Sequence, residues 1–190
     1  FRSTVCKDYG LPLFVDGARL AYGLAATNSV TMPLLSQLAD VFTIGGTKCG
    51  ALCGEAVVFS RGQAPHHMLS RIKRQGALLA KSRLVGVQFE ALFTADHTGT
   101  PLYLSIGRHT VKLAMRLRDL LEHRAGYKPY IDSPTNQQFF VIPNSRIELL
   151  RCHVGFEVWG PADNEHTVCR FVTSWATTDE EMNLLSGVEI

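Results

Sequence analysis

The chain has 190 residues, 46% hydrophobic and 19% charged, with a net charge of +2. These are globular values, without the charge excess of a nucleic-acid or membrane-surface partner, and no apolar run approaches the ~20 residues of a membrane-spanning helix. Five cysteines (Cys6, Cys49, Cys53, Cys152 and Cys169) form an odd set. Cys49 and Cys53 have no second pair or spaced histidines to complete a zinc site, so no metal is expected. Free thiols point to a reducing compartment, the cytoplasm.

Phe1 to Tyr9 reads as the end of a helix. A chain that opens there without methionine predicts a larger protein whose amino-terminal part is missing. Leu11 to Val15 follows Gly10 as a short apolar run and predicts a strand buried on both faces, ending at Asp16-Gly17. Thr31, before Met32-Pro33, is a cap for a helix over Pro33 to Ala39. Asp40 to Ile44 and Glu55 to Phe59 are the next strands. Strand, helix, strand in this order implies a parallel α/β sheet. His66 to Val85 predicts one helix, Gln88 to Asp96 a second, and Thr100-Pro101 the start of a third reaching about His123.

Beyond Gly126 and Pro129 the texture changes. Strands are expected at Gln137 to Ile142, Gly155 to Trp159 and Val168 to Ser174, with a short helix at Arg146 to Cys152. Thr178 and Glu181 fit a capping box opening the last helix. The expected organisation is an α/β domain over 1–125 and a small α+β domain with an antiparallel sheet over 126–190.

The chemistry concentrates in two segments. Leu13-Phe14-Val15-Asp16-Gly17-Ala18-Arg19-Leu20 carries a carboxylate to a strand end, where open α/β sheets bind ligands. Val41-Phe42-Thr43-Ile44-Gly45-Gly46-Thr47-Lys48-Cys49-Gly50 carries a lysine, 32 residues after Asp16, to the next strand end. A lysine held in a packed turn can form a Schiff base. A carboxylate beside it can pair with a pyridinium nitrogen. Together they are the minimum equipment for pyridoxal 5'-phosphate. The Thr47 hydroxyl can donate to a phosphate, and the neighbouring glycines permit close backbone approach. Arg19, one helical turn past Asp16, has the planar guanidinium suited to a carboxylate. Arg170 is an odd charge in a half-buried strand, and Lys73-Arg74 reads as a solvated face that could also contribute to phosphate binding across a subunit interface. The adjacent His66 and His67 make a poor metal pair and read as surface residues. Trp159 and Trp175 read as packing residues.

These segments together resemble the low-specificity L-threonine aldolases, in the β-eliminating lyase group of fold-type I pyridoxal phosphate enzymes. The resemblance rests on Asp16-Gly17-Ala18-Arg19, on Thr47-Lys48 after a strand, on Arg74-Gln75 and on Cys169-Arg170-Phe171-Val172-Thr173-Ser174-Trp175. It implies the carboxy-terminal part of that fold. Lys48 and Asp16 would be catalytic, with Asp16, Thr47, Lys48 and Arg74 binding the cofactor. Arg19 and Arg170 would hold the substrate carboxylate. The substrate would be a small β-hydroxy amino acid, split to glycine and an aldehyde, and the protein a homodimer or homotetramer. A phosphate-binding glycine turn and a ring-stacking histidine would lie in the amino-terminal part. The same residues also serve a related aminotransferase or β-eliminating lyase, and a catalytically incomplete chain would act only as an assembly module.

Overall fold

A computed structural model describes residues 2–26, 29–62 and 64–188. Helix α1 (Arg2–Asp8) precedes β1 (Phe14–Val15), and α2 (Leu20–Ala26) follows it. Phe1, where the expected helix end opens, lies outside the described residues. Helix α3 (Met32–Leu38) is capped by the Thr31 side chain, which accepts from the Leu34 amide at 3.3 Å. The chain returns as β2 (Val41–Gly45), a short 3-10 turn (Thr47–Cys49) and β3 (Glu55–Phe59).

The strand order is β1-β2-β3. The β1–β2 pair is parallel, with Val15 opposite Phe42, as a strand–helix–strand connection requires. Strand β3 instead runs antiparallel to β2. Residues 46–54 are too few for a parallel crossover, which needs about a dozen or more. The sheet is therefore mixed.

Strand β1 is shorter and more open than the apolar run predicts. The Asp40 carboxylate accepts from the Leu13 amide at 2.7 Å, and the Asp40 amide donates to the Leu13 carbonyl. The ladder therefore begins only at Phe14. Among the described residues β1 has a strand on one side alone, and Phe14 is 58% exposed rather than buried.

The expected His66 to Val85 helix is two helices, α4 (Met68–Arg74) and α5 (Arg83–Phe93). Gly76 stops α4 by adopting φ +71°, a left-handed turn open to glycine. His66 and His67 lie exposed before α4. Helix α6 (Leu102–Asp119) carries on into a π-helical turn over Leu120–Arg124.

By contact the chain forms two compact units whose main division falls after Ser105, inside α6, with Ala25 and Ala26 grouped with the second unit. The carboxy-terminal unit thus contains most of a helix that the sequence reading places in the larger domain. It adds β4 (Lys128–Pro129), β5 (Gln137–Pro143), α7 (Ile147–Arg151), β6 (Glu157–Pro161), β7 (His166–Val172) and α8 (Asp179–Gly187). Its sheet, ordered β4-β5-β7-β6, is antiparallel throughout. Burial alternates residue by residue along β5, with Gln138, Phe140 and Ile142 facing inward. Leu113, Leu117 and Leu121, one helical turn apart, cover Phe140, Ile142, Cys169 and Phe171, and Met182 and Leu185 of α8 close the core. The Thr178–Glu181 capping box is present in both directions.

Candidate functional site

The two chemically loaded segments meet through their main chains. The Gly45 amide donates to the Gly17 carbonyl at 2.9 Å, and the Gly17 amide donates to the buried Thr43 hydroxyl at 2.8 Å. A β-carbon on Gly17 would stand 1.8 Å from the Thr43 carbonyl oxygen, and one on Gly45 would stand 2.4 Å from the Ala18 carbonyl oxygen. Only glycine lets the two turns approach this closely. Asp16 immediately precedes one glycine, and Lys48 lies three residues past the other. The turns that carry the carboxylate and the amine are therefore joined by hydrogen bonds at the carboxyl ends of two parallel strands.

Both candidate side chains, Asp16 and Lys48, are exposed at this edge. Asp16 commits one carboxylate oxygen to the Ala18 amide at 3.0 Å, which sets its direction and leaves the other oxygen to accept a further donor. Thr47 is exposed beside Lys48. Arg19 is half-buried, and its carbonyl accepts from the Tyr22 and Gly23 amides in the first turn of α2. Arg74 ends α4 with its side chain exposed.

Beneath Lys48 the packing is dense and polar. Tyr22, Cys49 and Tyr103 are all essentially buried. The Tyr22 hydroxyl donates to the Lys48 carbonyl. The Cys49 thiol is buried beside the Tyr22 and Tyr103 side chains. The Tyr103 hydroxyl accepts from the Ala21 amide at 3.2 Å, and Phe93 stacks on the Tyr103 ring at 5.2 Å. Burial pushes up both the Cys49 thiol and the Tyr103 phenol, so each keeps its proton at neutral pH. Sequence reasoning missed all three residues. The only available signal was the spacing of Tyr22, one helical turn past Arg19.

Arg170 belongs to the other unit. Its neighbours Cys169 and Phe171 point into the core, which places Arg170 on the opposite face of β7. There it pairs with Glu157, donates to the Gln137 side chain at 3.0 Å and lies over the Trp159 ring, 5.1 Å from its centre. Its Nε is buried without a partner. Trp159 also meets Phe139 edge-on, yet remains 57% exposed, and Trp175 is 50% exposed. Both tryptophans are more open than the packing role expected for them.

Among the described residues no helix is long and apolar enough to cross a membrane, and no cluster of His, Cys, Asp and Glu could hold a metal ion. The donor set at the strand ends, an amine, a carboxylate with a free oxygen and a hydroxyl, fits the ring and aldehyde of pyridoxal phosphate. The main-chain approach at Gly17 and Gly45 supplies the rigid base.

The fold is that of the fold-type I pyridoxal phosphate enzymes, of which the chain covers about half. No protein-family model matches it. The chain is homologous to low-specificity L-threonine aldolases. It is 27% identical to that of Pseudomonas aeruginosa over 185 residues, which cover 97% of this chain and 51% of the relative. The solved threonine aldolase of Leishmania major superposes with a TM-score of 0.87 at 34% identity, over 97% of this chain and 53% of that one. Serine palmitoyltransferase of Sphingomonas wittichii shares the fold alone, with a TM-score of 0.61 at 14% identity over 97% and 48%. The chain thus spans about half the length of the relatives it matches.

Proposed function

We propose that this chain carries the Schiff-base lysine and the ring-nitrogen carboxylate of a pyridoxal phosphate-dependent lyase of the threonine aldolase type. The observation that carries the reading is the Gly45–Gly17 hydrogen bond, which joins the Asp16 and Lys48 turns. Homology to threonine aldolases supports the choice of substrate, a β-hydroxy amino acid such as L-threonine or L-allo-threonine, cleaved to glycine and acetaldehyde.

When bound, pyridoxal phosphate supplies an electron sink for the pair released as the Cα–Cβ bond breaks. The protein's part is to hold and orient. The Lys48 amine would hold the cofactor through its aldehyde and would be the group that takes up or returns a proton beside the substrate. The free oxygen of Asp16 would accept from the ring N–H and favour the protonated nitrogen. Thr47 and Arg74 would donate to the phosphate. Arg19 and Arg170 carry the guanidinium groups suited to the substrate carboxylate. Glu157, paired with Arg170, is the group that a substrate carboxylate would compete with.

A homodimer or homotetramer is the expected assembly. Leu69, Leu78, Leu79, Leu84 and Val87 stand exposed on and between α4 and α5, which supports burial against a second copy. The same exposed side chains favour a second reading, a piece that folds and acts as an assembly module. The five free cysteines support a cytoplasmic setting.

The test is covalent trapping. Borohydride reduction of the cofactor-loaded protein is expected to place a pyridoxyl group on Lys48, located by peptide mass spectrometry, and Lys48→Ala is expected to abolish it. Equal labelling of both proteins overturns the reading. Glycine and acetaldehyde should then appear from L-threonine or L-allo-threonine with the complete protein; keto-acid product would instead move the activity to an aminotransferase.

A further inference from the structure

We propose that Gln88 is the positioning residue that seats the loop carrying Lys48, residues 46–54, on helix α5. The inference rests on the reading of Lys48 as the Schiff-base residue and deepens it.

The loop leaves β2 at Gly45 and re-enters the sheet at Glu55. Its first half closes on itself, because the Gly46 carbonyl accepts from the Cys49 amide at 2.8 Å and from the Ala51 amide at 3.1 Å. Its second half is held by a side chain. The Gln88 side-chain oxygen accepts from the Leu52 amide at 2.6 Å and from the Cys53 amide at 3.4 Å. The Gln88 side-chain nitrogen donates to the Leu84 carbonyl at 2.6 Å, one turn back along α5, and lies 3.8 Å from the Cys53 sulfur. These partners fix which way the amide group faces. A main-chain carbonyl only accepts and a main-chain N–H only donates, so the Gln88 oxygen faces the loop and its nitrogen faces the helix.

Both ends of the loop rest on the same helix. Val85, Gln88 and Phe89 follow one another at the i, i+3, i+4 spacing of a single helix face, and the stripe continues into the buried Leu92. A β-carbon on Gly54 would stand 2.7 Å from Val85 Cγ1, and one on Gly46 would stand 3.1 Å from the Phe89 ring. The loop thus meets α5 at its start and at its end, and Gln88 ties it down between them. Leu52 is 91% exposed, so its own side chain gives that stretch no packed anchor. Lys48 sits in a three-residue 3-10 turn with its side chain exposed, so the main chain sets where the amine can reach. Its carbonyl is held separately, by the Tyr22 hydroxyl of α2. Without Gln88 the turn would keep that hold but could swing at residues 51–53, and the amine would swing with it.

Gln88→Met keeps the length of the side chain and removes its hydrogen bonds. In the complete protein loaded with pyridoxal phosphate, it is expected to weaken cofactor retention about tenfold, the scale of one or two lost hydrogen bonds. It should also shift the pH midpoint of the cofactor's visible absorbance band. Gln88→Glu keeps an acceptor for the Leu52 amide and should retain the cofactor to within about threefold of the unaltered protein. Thr94→Val is the control. It removes the bond from the Thr94 hydroxyl to the Glu90 carbonyl, 2.8 Å long, which lies at the end of the same helix and does not involve the loop. It should leave both readings unchanged. A Gln88→Met protein with a lower melting temperature but an unmoved midpoint overturns the proposal. Equal retention by the Met and Glu variants overturns it too, as does a midpoint moved as far by Thr94→Val. If Gln88→Met fails to fold, Gln88→Ala takes its place in the same comparison. Failure of the unaltered protein to trap the cofactor on Lys48 sinks the underlying reading, whereas normal trapping with an unmoved Gln88→Met midpoint sinks this inference alone.

Discussion

The two units of this chain solve opposite problems. The carboxy-terminal unit closes a four-stranded antiparallel sheet over a continuous apolar core, with α6 and α8 sealing it. Among the described residues the amino-terminal unit has three strands, one only two residues long, and leaves leucines exposed on and between α4 and α5. Yet this more open unit holds the candidate lysine and aspartate. The lesson is that the site's rigidity does not come from a large core. It comes from local devices: one close main-chain approach and one buried phenol–thiol cluster.

If that contrast is sound, damage should differ between the units in size and reach. The largest effect is expected for Phe171→Ala, which empties the centre of the closed core and should cost about 3–5 kcal/mol. Chemical denaturation would measure it, and a cost below ~1 kcal/mol would mean that the carboxy-terminal core is not the cooperative body described. Gly17→Ala should come next. Its methyl group would collide with the Thr43 carbonyl, and separation of the turns should cost about 3 kcal/mol, with loss of cofactor trapping on Lys48. Retained trapping in this variant would break the claim that the glycine approach builds the site.

The buried thiols sharpen the comparison, because each unit holds one. Cys49 and Cys169 are fully buried, whereas Cys53 and Cys152 are exposed. Under native conditions a thiol reagent should label the exposed pair first. Cys49 should follow, at least about tenfold faster than Cys169, because the open unit should have the lower local opening energy. Peptide mapping against time would show the order, and the reverse order would undo the contrast.

Smaller effects test the edges of the closed unit. Thr178→Ala removes the side-chain half of the capping box, the acceptor of the Glu181 amide, and should cost about 1 kcal/mol by thermal melting. The smallest effect concerns Asp163. The Glu165 amide, then the His166 side chain, hold its carboxyl below the usual carboxylate range. A depressed value means stability is present above the ordinary carboxylate range and is lost as pH falls through the folded value. Asp163→Asn should therefore flatten the acid limb of a melting-temperature profile and leave the neutral limb nearly unchanged.

Much of the carboxy-terminal unit was legible in the sequence, because its signals are local. Alternation marks β5, and the Thr178–Glu181 spacing marks the last helix. In the other unit, the placement of Asp16 and Lys48 just past strand ends was legible from the apolar runs before them. Their physical joining was not, since it depends on a pairing between Gly17 and Gly45 that no local pattern encodes. Strand β1 was overread because an apolar run does not reveal whether a neighbour covers it. The continuous helix expected over His66 to Val85 was overread because periodicity carried past Gly76, whose backbone breaks it. Tyr22, Cys49 and Tyr103 escaped notice because they converge from residues far apart in sequence, and each alone looks like ordinary core.

The meeting of Gly17 and Gly45 has one more consequence, and it is entropic. A spacing held by side chains must be re-established whenever they change rotamer. Here the offset between the two turns resides in peptide units that have no side-chain rotamers to lose. An arriving ligand therefore meets a frame that is already ordered. The freezing cost falls chiefly on the lysine arm, at most about 2 kcal/mol for a long flexible side chain.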